Sequence, residues 1–270
     1  MSSAPPSPLA TPQPWDLVAD GYVAENLPAF EAFAREALRL SPPSGAILDV
    51  AAGPGSLSLL AARQASSVHA IDFAPGMLRH LTERAAAAGI QNVIAQVADG
   101  QALPFEDGSF DAAYSMFGLI FFPDRARGLA ELARVLRPGK RALISSWPPF
   151  ERIPTFGALF EAINAELPPS APNTAPPPLG TAADFERELS AAGFREIEVH
   201  EHDVVEATST PEQLWASFAR GGAPVVMIRN RLSEAEFAAF SNAVVARLHA
   251  RLGPEPRAVK LTALLGIGTR

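Results

Sequence analysis

Short apolar runs alternate with helical segments along the first 150 residues, and this alternation restricts the fold more than any other feature. The runs are residues 46–50, 68–71, 93–97, 110–116 and 141–147. Neighbouring parallel strands need a crossover connection, which is usually a helix, and a sheet built this way is covered on both faces. The pattern therefore predicts a doubly wound α/β domain.

Helical periodicity is clearest at residues 124–136. Leu129, Leu132, Ala133 and Leu136 follow the i, i+3, i+4, i+7 spacing, and Pro138 with Gly139 ends the segment. Further helices are predicted at 15–40, 56–64, 75–88, 155–167, 182–192 and 233–252, and further strands at 195–207 and 259–266.

Composition narrows the classes of function. The chain of 270 residues has no cysteine, which excludes a disulfide scaffold, a cysteine nucleophile and thiolate metal sites. The 22 basic and 29 acidic residues give a net charge of −7, which repels phosphate backbones and anionic membrane surfaces. No apolar run reaches the roughly 18 residues of a membrane span, and the start carries no export signal. We expect a cytoplasmic protein with a small-molecule partner and no nucleic acid.

A turn with two glycines follows the first apolar run. Residues 49–56 read Asp-Val-Ala-Ala-Gly-Pro-Gly-Ser, and Gly53 and Gly55 allow a ligand to approach the backbone closely. The next helix would direct its N–H groups and dipole toward a carboxylate or phosphate. Taken alone, this segment is also consistent with an ordinary strand-to-helix turn.

Asp72 makes a ligand site the better interpretation. It ends the second predicted strand, where a carboxylate can accept both hydroxyls of a ribose, as it would in a dinucleotide-binding fold. The dinucleotide motif needs a third glycine where Ser58 stands, and Asp49 would repel a pyrophosphate. A zwitterionic amino-acid group suits the turn better.

These residues resemble the class I S-adenosylmethionine-dependent methyltransferases, in particular the ubiquinone/menaquinone and small-molecule branch. Four stretches match in order: 49–55, 68–77, 97–109 and 110–139. The resemblance implies S-adenosylmethionine as cofactor. It also implies a mostly parallel, seven-stranded Rossmann-like sheet with a helical cap over the carboxyl ends of the strands. Ala51 departs from the family, which usually has glycine there.

The resemblance also implies roles for individual residues. The turn after the first strand borders the methionine moiety, Asp72 holds the ribose with Met77 nearby, and Asp99 receives the adenine amino group. The residues that follow the fourth strand lie beneath the sulfonium. The predicted cofactor-binding set is Asp49, Ala51, Gly53, Gly55, Asp72, Phe73, Met77, Asp99, Gly100, Gln101, Ser115 and Met116.

The same resemblance, with the composition of each segment, predicts the organisation of the chain. We expect a disordered Pro-rich tail (1–14), then a cofactor-binding core with N-terminal lid helices (15–149). A cap insertion with a Pro-rich loop (150–180), a core helix and strand (181–210), a helical cap insertion (211–256) and a final core strand (257–270) complete it.

The acceptor side is predicted to be aromatic. Tyr22 on the lid helix and aromatic residues after the fourth and fifth strands and in the cap are candidates for the acceptor pocket: Tyr22, Phe117, Phe121, Trp147 and Trp215. Methyl transfer from a sulfonium is an in-line displacement, so an apolar pocket can promote it by positioning. We identify no catalytic base and no metal site, because His200 and His202 share a face of an edge strand without a third ligand.

Other functions remain open at this point. A non-catalytic S-adenosylmethionine-binding protein could recruit a partner through its cap, and methylation of RNA or protein is disfavoured by the acidic charge. A nicotinamide dehydrogenase is the remaining alternative. The sequence specifies neither the acceptor, nor the methylated atom, nor the oligomeric state.

We predict that Asp99→Ala weakens binding of S-adenosylmethionine and reduces discrimination against purines that lack the 6-amino group. The reason is the loss of the carboxylate that accepts this amino group. Affinities for the native cofactor and its inosine analogue would be measured by calorimetry. An unchanged ratio of the two would show that Asp99 does not read adenine.

Overall fold

A seven-stranded sheet forms the centre of the protein. The computed structural model describes residues 7–168 and 179–270. The strand order is β3-β2-β1-β4-β5-β7-β6; β1 to β5 are parallel, and β7 runs antiparallel to both of its neighbours. The prediction of a mostly parallel seven-stranded α/β sheet is confirmed. The strands are β1 (Ala46–Val50), β2 (Ser67–Asp72), β3 (Val93–Val97), β4 (Phe110–Ser115), β5 (Leu136–Ser146), β6 (Arg195–Ser209) and β7 (Arg257–Thr269).

The direction of winding reverses between β1 and β4. Chain segments leave these adjacent strands toward opposite sides, so a crevice opens at their carboxyl ends, where open α/β sheets bind ligands. The strand order therefore places the turn after β1 beside the segment after β4.

Helices cover both faces of the sheet. Ala34 of α2 and Leu57 before α3 pack with Tyr114 on one face, while Leu132 of α5 and Phe185 of α7 pack on the other. The helices are α1 (Gln13–Glu25), α2 (Leu27–Leu40), α3 (Ser58–Ala61), α4 (Pro75–Ala87), α5 (Arg125–Val135), α6 (Pro154–Ala165), α7 (Ala182–Ala191), α8 (Pro211–Gly221), α9 (Ala223–Arg229) and α10 (Glu234–Leu252). In the described ranges, none of the helices has the length and hydrophobicity to cross a membrane.

A separate apolar cluster holds the cap together. Leu159 of α6, Trp215 of α8 and Val244 of α10 are buried against one another. Capping boxes at Thr210 and Ser233 begin α8 and α10, as their sequences indicate. The cap therefore has its own core, and α1 packs against it.

The N-terminal segment differs from its prediction. Residues 1–6 of the predicted tail lie outside the described residues, but Pro8–Ala10 form a 3-10 helix and α1 already begins at Gln13. The indole Nε1 of Trp15 donates to the Leu9 carbonyl at 2.9 Å, which fixes this segment against α1. The expected tail therefore does not extend to residue 14.

The predicted helix 15–40 is two helices. Pro28 stands in the first turn of α2, where its missing N–H group and its ring prevent α1 from continuing. At the junction, Asn26 donates from its side-chain amide to the Gly221 carbonyl of α8 at 2.8 Å. The break therefore joins the lid to the cap.

Other boundaries also shift. Strand β5 begins at Leu136 rather than 141, because a bulge opposite 110–112 accommodates Pro138 and Gly139. Helix α3 has four residues instead of nine, strand β7 is longer than expected, and α9 was not predicted. Residues 169–178 of the predicted Pro-rich loop lie outside the described residues.

The close crossing of α1 and α8 gives a test of the lid. A Cβ atom added at Gly21 would lie 1.9 Å from the Arg220 carbonyl oxygen, so Gly21→Ala must displace α1 or α8. We predict a loss of about 1–3 kcal/mol in the free energy of unfolding, measured by urea denaturation. Ala24→Ser on the exposed side of α1 is the control and should change it by less than about 0.5 kcal/mol. Equal effects of the two variants would contradict this packing.

Candidate functional site

A cavity of about 300 Å³ lies at the carboxyl ends of β1, β2, β4 and β5. Helices α1 and α2 roof it through Trp15, Tyr22 and Phe30, so the lid and the sheet together enclose it. Its floor is the turn after β1. The lining residues are Ala10, Trp15, Tyr22, Phe30, Ala51, Gly53, Ile71, Asp72, Phe73, Met77, Ala98, Asp99, Gly100, Gln101, Met116, Phe117, Gly118, Phe121, Phe122, Pro123 and Trp147.

The turn after β1 exposes backbone to the cavity. Ala51 and Gly53 both have left-handed backbones, with φ of 56° and 54°. A Cβ atom on Gly53 would meet no atom within 4 Å, so this residue faces open space. Ala51 carries the left-handed strain that a glycine would avoid, about 1–2 kcal/mol, and its methyl group packs on Gly118 instead.

Asp72 holds two turns together at the cavity wall. Its Oδ2 accepts the Gly53 N–H at 2.8 Å and its Oδ1 accepts the Ala74 N–H at 2.9 Å. Burial raises the pKa of Asp72 to about 6 despite these hydrogen bonds, and the negative charge of Asp16 adds to the increase. The carboxylate is thus fixed in position at the end of β2, in the wall of the cavity.

Asp49 lies beneath the lining rather than in it. It is 1% exposed, and its Oδ2 accepts the Ser58 hydroxyl at 2.6 Å. Burial raises the pKa of Asp49 to about 7, against the hydrogen bond from Ser58, and the charge of Asp72 raises it further. Within the described part of the chain, neither Asp49 nor Asp72 forms an ion pair with a basic side chain.

The opposite end of the cavity is shaped by the segment after β3. Asp99 accepts the Gln101 N–H at 2.8 Å, and Gln101 in turn accepts the Asp124 N–H at 2.8 Å. A Cβ atom on Gly100 would lie 2.5 Å from Phe122 Cζ and 2.8 Å from Val50 Cγ1, so any larger residue there would have to displace these side chains. These contacts hold the side chains of Asp99 and Gln101 at this end of the cavity.

Aromatic rings form the remaining wall. Phe117 stacks on Trp147 with ring centroids 4.2 Å apart, and Phe30 meets Phe117 edge-on at 5.0 Å. Tyr22 lies 5.3 Å from Phe30, and burial raises its pKa, so its hydroxyl stays protonated at neutral pH. Phe117 has φ of 58°, and its N–H donates to the Ser145 hydroxyl at 2.9 Å. The turn after β4 is therefore held so that Phe117 faces the cavity.

The structure brings most of the predicted site residues together. The cavity is lined by Tyr22, Ala51, Gly53, Asp72, Phe73, Met77, Asp99, Gly100, Gln101, Met116, Phe117, Phe121 and Trp147. Asp49, Gly55 and Ser115 lie outside the lining, and Trp215 packs with Phe240 inside the cap. Trp215 was expected at the acceptor pocket because it is aromatic and in the cap, but the apolar face of α10 buries it.

Several lining residues were not anticipated from the sequence. Trp15 and Phe30 contribute large aromatic surfaces, whereas Phe122 belongs to the aromatic residues after β4 that were expected at the acceptor pocket. Phe30 was assigned only to the apolar face of its helix, and no local pattern distinguishes a residue that faces a cavity from one that faces the core. Gly118 could have been noticed, since glycine is the usual residue where the backbone approaches a ligand closely.

None of the five histidines lines the cavity. His69 packs edge-on against Phe105 and Phe110, His80 contacts Asp20, and His249 contacts Glu212. On β6, His200 contacts Glu198, and His202 lies 3.9 Å from Glu36 behind Phe33. Among the described residues no group of three His, Cys, Asp or Glu side chains is placed to hold a metal ion.

Comparisons with known proteins agree with this geometry. A family model described as a methyltransferase domain matches residues 47–139. An uncharacterized protein of Mycobacterium tuberculosis is 40% identical over 133 residues, 48% of each chain, so the match spans about half the length of that relative. A ubiquinone/menaquinone biosynthesis C-methyltransferase of Geotalea daltonii is 34% identical over 179 residues, 59% of this chain and 74% of the relative.

A solved structure resembles the whole fold. The 4+2 cyclase SpnF matches with a TM-score of 0.60 at 18% identity, over 100% of this chain and 99% of its own. At this identity the likeness concerns the fold alone.

Asp72 gives the prediction that follows most directly from this geometry. Asp72→Ala removes the carboxylate that we expect to bind the ribose, and it should weaken S-adenosylmethionine binding by about 1.5–3 kcal/mol in calorimetry. It also leaves the buried Ala74 N–H and the part-buried Gly53 N–H without their acceptor, so the free energy of unfolding should fall by about 1–3 kcal/mol. Asp72→Asn keeps an amide oxygen as acceptor, so it should lose less cofactor affinity and less free energy of unfolding than Asp72→Ala. If both variants fold and both bind S-adenosylmethionine with unchanged affinity, the assignment of Asp72 to the ribose is contradicted.

Proposed function

Because this chain belongs to the class I S-adenosylmethionine-dependent methyltransferases, we propose that it transfers the cofactor's methyl group to a small, largely apolar or aromatic organic acceptor. Membership follows from the 34% identity to the Geotalea daltonii protein over 74% of that protein's length, together with the matching domain at 47–139. S-adenosylmethionine is the cofactor of this family.

The residues of the cavity fit this cofactor. Asp72 at the end of β2 would hold the ribose, and Asp99 with Gln101 would receive the adenine edge. The open space at Gly53 admits the amino-acid portion, which a side chain there would fill. The ionisable side chains among the described lining residues are Tyr22, Asp72 and Asp99, so the cavity suits a ligand with a positive charge.

The aromatic wall of the cavity is the observation that supports a largely apolar or aromatic acceptor. Tyr22, Phe30, Phe117 and Trp147 stand together beside the turn at Ala51 and Gly118, where the methionine end of the cofactor would lie. Flat apolar surfaces of this kind favour an aromatic or hydrocarbon acceptor over a strongly hydrated one. A quinone-like ring is one such acceptor, and the name of the Geotalea daltonii relative supports it.

Positioning dominates the proposed mechanism. When bound, the cofactor supplies an electrophilic methyl group on a positively charged sulfur. The aromatic side chains exclude water and hold the acceptor in line with that methyl group, which is the contribution expected of oriented reactants. Tyr22 can orient a polar substituent through its protonated hydroxyl. No histidine is placed to remove a proton from an acceptor in the cavity.

Transfer of a labelled methyl group tests the proposal. The protein is incubated with methyl-labelled S-adenosylmethionine and fractionated metabolite extracts, and labelled products are separated by size and solubility. We expect label in small, organic-soluble products. Label in RNA or protein would overturn the acceptor class, and tight cofactor binding with no transfer to any fraction would favour a non-catalytic binding protein.

We predict that replacing both His200 and His202 by Gln lowers turnover less than about tenfold, whereas a general base contributes about 10²–10⁴-fold. Trp147→Ala or Phe117→Ala should raise the acceptor KM or lower kcat much more, because each removes a cavity wall. Phe160→Ala, an aromatic outside the cavity, is the matched control. A folded, cofactor-binding double histidine variant that loses 10²-fold or more in activity would contradict the positioning mechanism.

A further inference from the structure

Helix α4 begins without a capping side chain of its own. Its N-cap residue is Ala74, which offers no side-chain acceptor, and Pro75 has no N–H group. The next N–H group, that of Gly76, needs an acceptor from elsewhere. Asp16 of α1 supplies it, because its Oδ1 accepts the Gly76 N–H at 2.7 Å. A residue 60 positions earlier in the chain therefore caps α4.

The two helices are in close contact at this cap. A Cβ atom added at Gly76 would lie 2.9 Å from Asp16 Oδ1 and 3.3 Å from Asp16 Cα. Beside the cap, Ala19 of α1 and Met77 of α4 are buried in one apolar cluster. Met77 and Trp15 also line the cavity. The seam between α1 and α4 is therefore one edge of the cavity.

One turn after the cap, the seam consists of exposed ion pairs. Asp20 contacts Arg79 at 3.0 Å and His80 at 2.7 Å. The side chains of Asp20 and Arg79 are 84% and 52% exposed, and ion pairs this exposed contribute little to stability. By contrast, replacing a capping acid by alanine typically shifts a helix equilibrium by about fivefold. Asp16 therefore contributes more to closure of the seam than the ion pairs of Asp20 do.

The C-terminal end of α1 is anchored on the cap. Asn26 donates to the Gly221 carbonyl at 2.8 Å, and Glu25 pairs with Arg220 at 2.6 Å. The backbones also touch, since a Cβ atom on Gly21 would lie 1.9 Å from the Arg220 carbonyl oxygen. Helix α1 is therefore held more firmly at its C-terminal end than at the end that carries Asp16.

The N-terminal end of α1 covers the cavity. Trp15 meets Phe121 on the opposite rim edge-on, with ring centroids 4.9 Å apart, and Ala10 lines the cavity next to it. A bound molecule of the cofactor's size lies beneath these residues, so its exit requires that they lift. Asp16 is not among the described residues that line the cavity, so it does not contact the ligand.

Resting on the proposed function, we propose that Asp16 is a positioning residue that latches α1 onto α4 and sets the rates at which the cofactor enters and the product leaves. Opening separates Asp16 from Gly76 and lifts Trp15, while the C-terminal end of α1 stays on the cap. The latch joins two helices outside the cavity lining, so it forms with and without a ligand. Weakening it should therefore raise both rate constants by the same factor and leave their ratio, the Kd, unchanged.

Two other roles of Asp16 make different predictions. If Asp16 only stabilises α4, its loss lowers the free energy of unfolding and changes neither rate constant. If its charge acts on the ligand through Asp72, whose pKa it raises, its loss changes the Kd. The two rate constants and their ratio therefore separate the latch from both alternatives.

The experiment measures the association and dissociation rate constants of S-adenosylhomocysteine by stopped-flow fluorescence. This ligand has no methyl group to transfer, so binding is observed without turnover, and Trp15 and Trp147 in the cavity lining provide the signal. The variants are Asp16→Ala, Asp16→Asn, which keeps a side-chain oxygen as acceptor, and Gly76→Ala, which displaces the carboxylate. Glu186→Ala removes an exposed acid on α7 and is the matched control.

We expect both rate constants to rise about fivefold in Asp16→Ala, with a Kd within about twofold of the wild type. Asp16→Asn should raise them less than about twofold, because asparagine caps helices as well as aspartate does. Glu186→Ala should leave them unchanged. Gly76→Ala should also raise both, although alanine favours the helical backbone of α4 more than glycine does. The two accelerated variants thus share the loss of the latch and not a loss of helix preference.

Two results would overturn the latch. One is faster dissociation without faster association in Asp16→Ala, which would mean that Asp16 stabilises only the bound state. The other is a pair of rate constants that neither Asp16→Ala nor Gly76→Ala changes.

A second measurement needs no ligand. The chain has no cysteine, so Ala98→Cys places a single thiol in the cavity lining. Opening exposes this thiol to iodoacetamide, and alkylation should be about fivefold faster when Asp16→Ala is added. A wild type that does not bind S-adenosylhomocysteine contradicts the proposed function, and the alkylation rate still tests the latch. Equal alkylation rates with and without Asp16→Ala contradict the latch alone.

Discussion

The site depends on two carboxylates that are buried at the ends of neighbouring strands and that have no cationic side chain beside them among the described residues. Asp49 and Asp72 are 1% and 6% exposed, and burial raises both pKa values above the ordinary range. Folded pKa values above the unfolded ones mean that ionisation opposes folding, so stability of the free protein falls as the pH rises from about 4 to about 7. Protonation relieves this unfavourable burial at low pH, and a ligand with a positive charge would relieve it at neutral pH. The rest of the cavity is consistent with such a ligand, since its other walls are uncharged or acidic.

The fold brings these charges to one place and encloses them. Reversal of the strand order between β1 and β4 sets the Gly53 turn next to the Phe117 turn, and the hydrogen bonds of Asp72 and Ser145 fix the two turns. Helix α1 then closes the cavity from above. It is attached on both sides, through Asp16 to the Gly76 N–H of α4 and through Asn26 to Gly221 of α8. The cap therefore supports the lid, while its own aromatic core lies apart from the cavity.

The sequence was most informative where a function depends on a local pattern. Apolar runs located the five parallel strands, and the turn after β1 with Asp72 located one end of the cavity. The sequence did not predict which of two surfaces an apolar residue on a helix contacts. Trp215 and Phe30 are both aromatic residues on apolar helix faces, yet one faces the cap core and the other the cavity, and only the packing of whole helices decides between these. Likewise, Pro28 breaks the lid into two helices although the apolar periodicity runs through it.

A crystal structure of the protein with S-adenosylhomocysteine is the most direct test of this account. The account predicts the ribose hydroxyls within hydrogen-bonding distance of Asp72, the adenine between Asp99 and Phe122, and the sulfur atom facing the rings of Tyr22 and Phe117. A ligand bound outside this cavity, or bound in it with the ribose away from Asp72, would contradict the account.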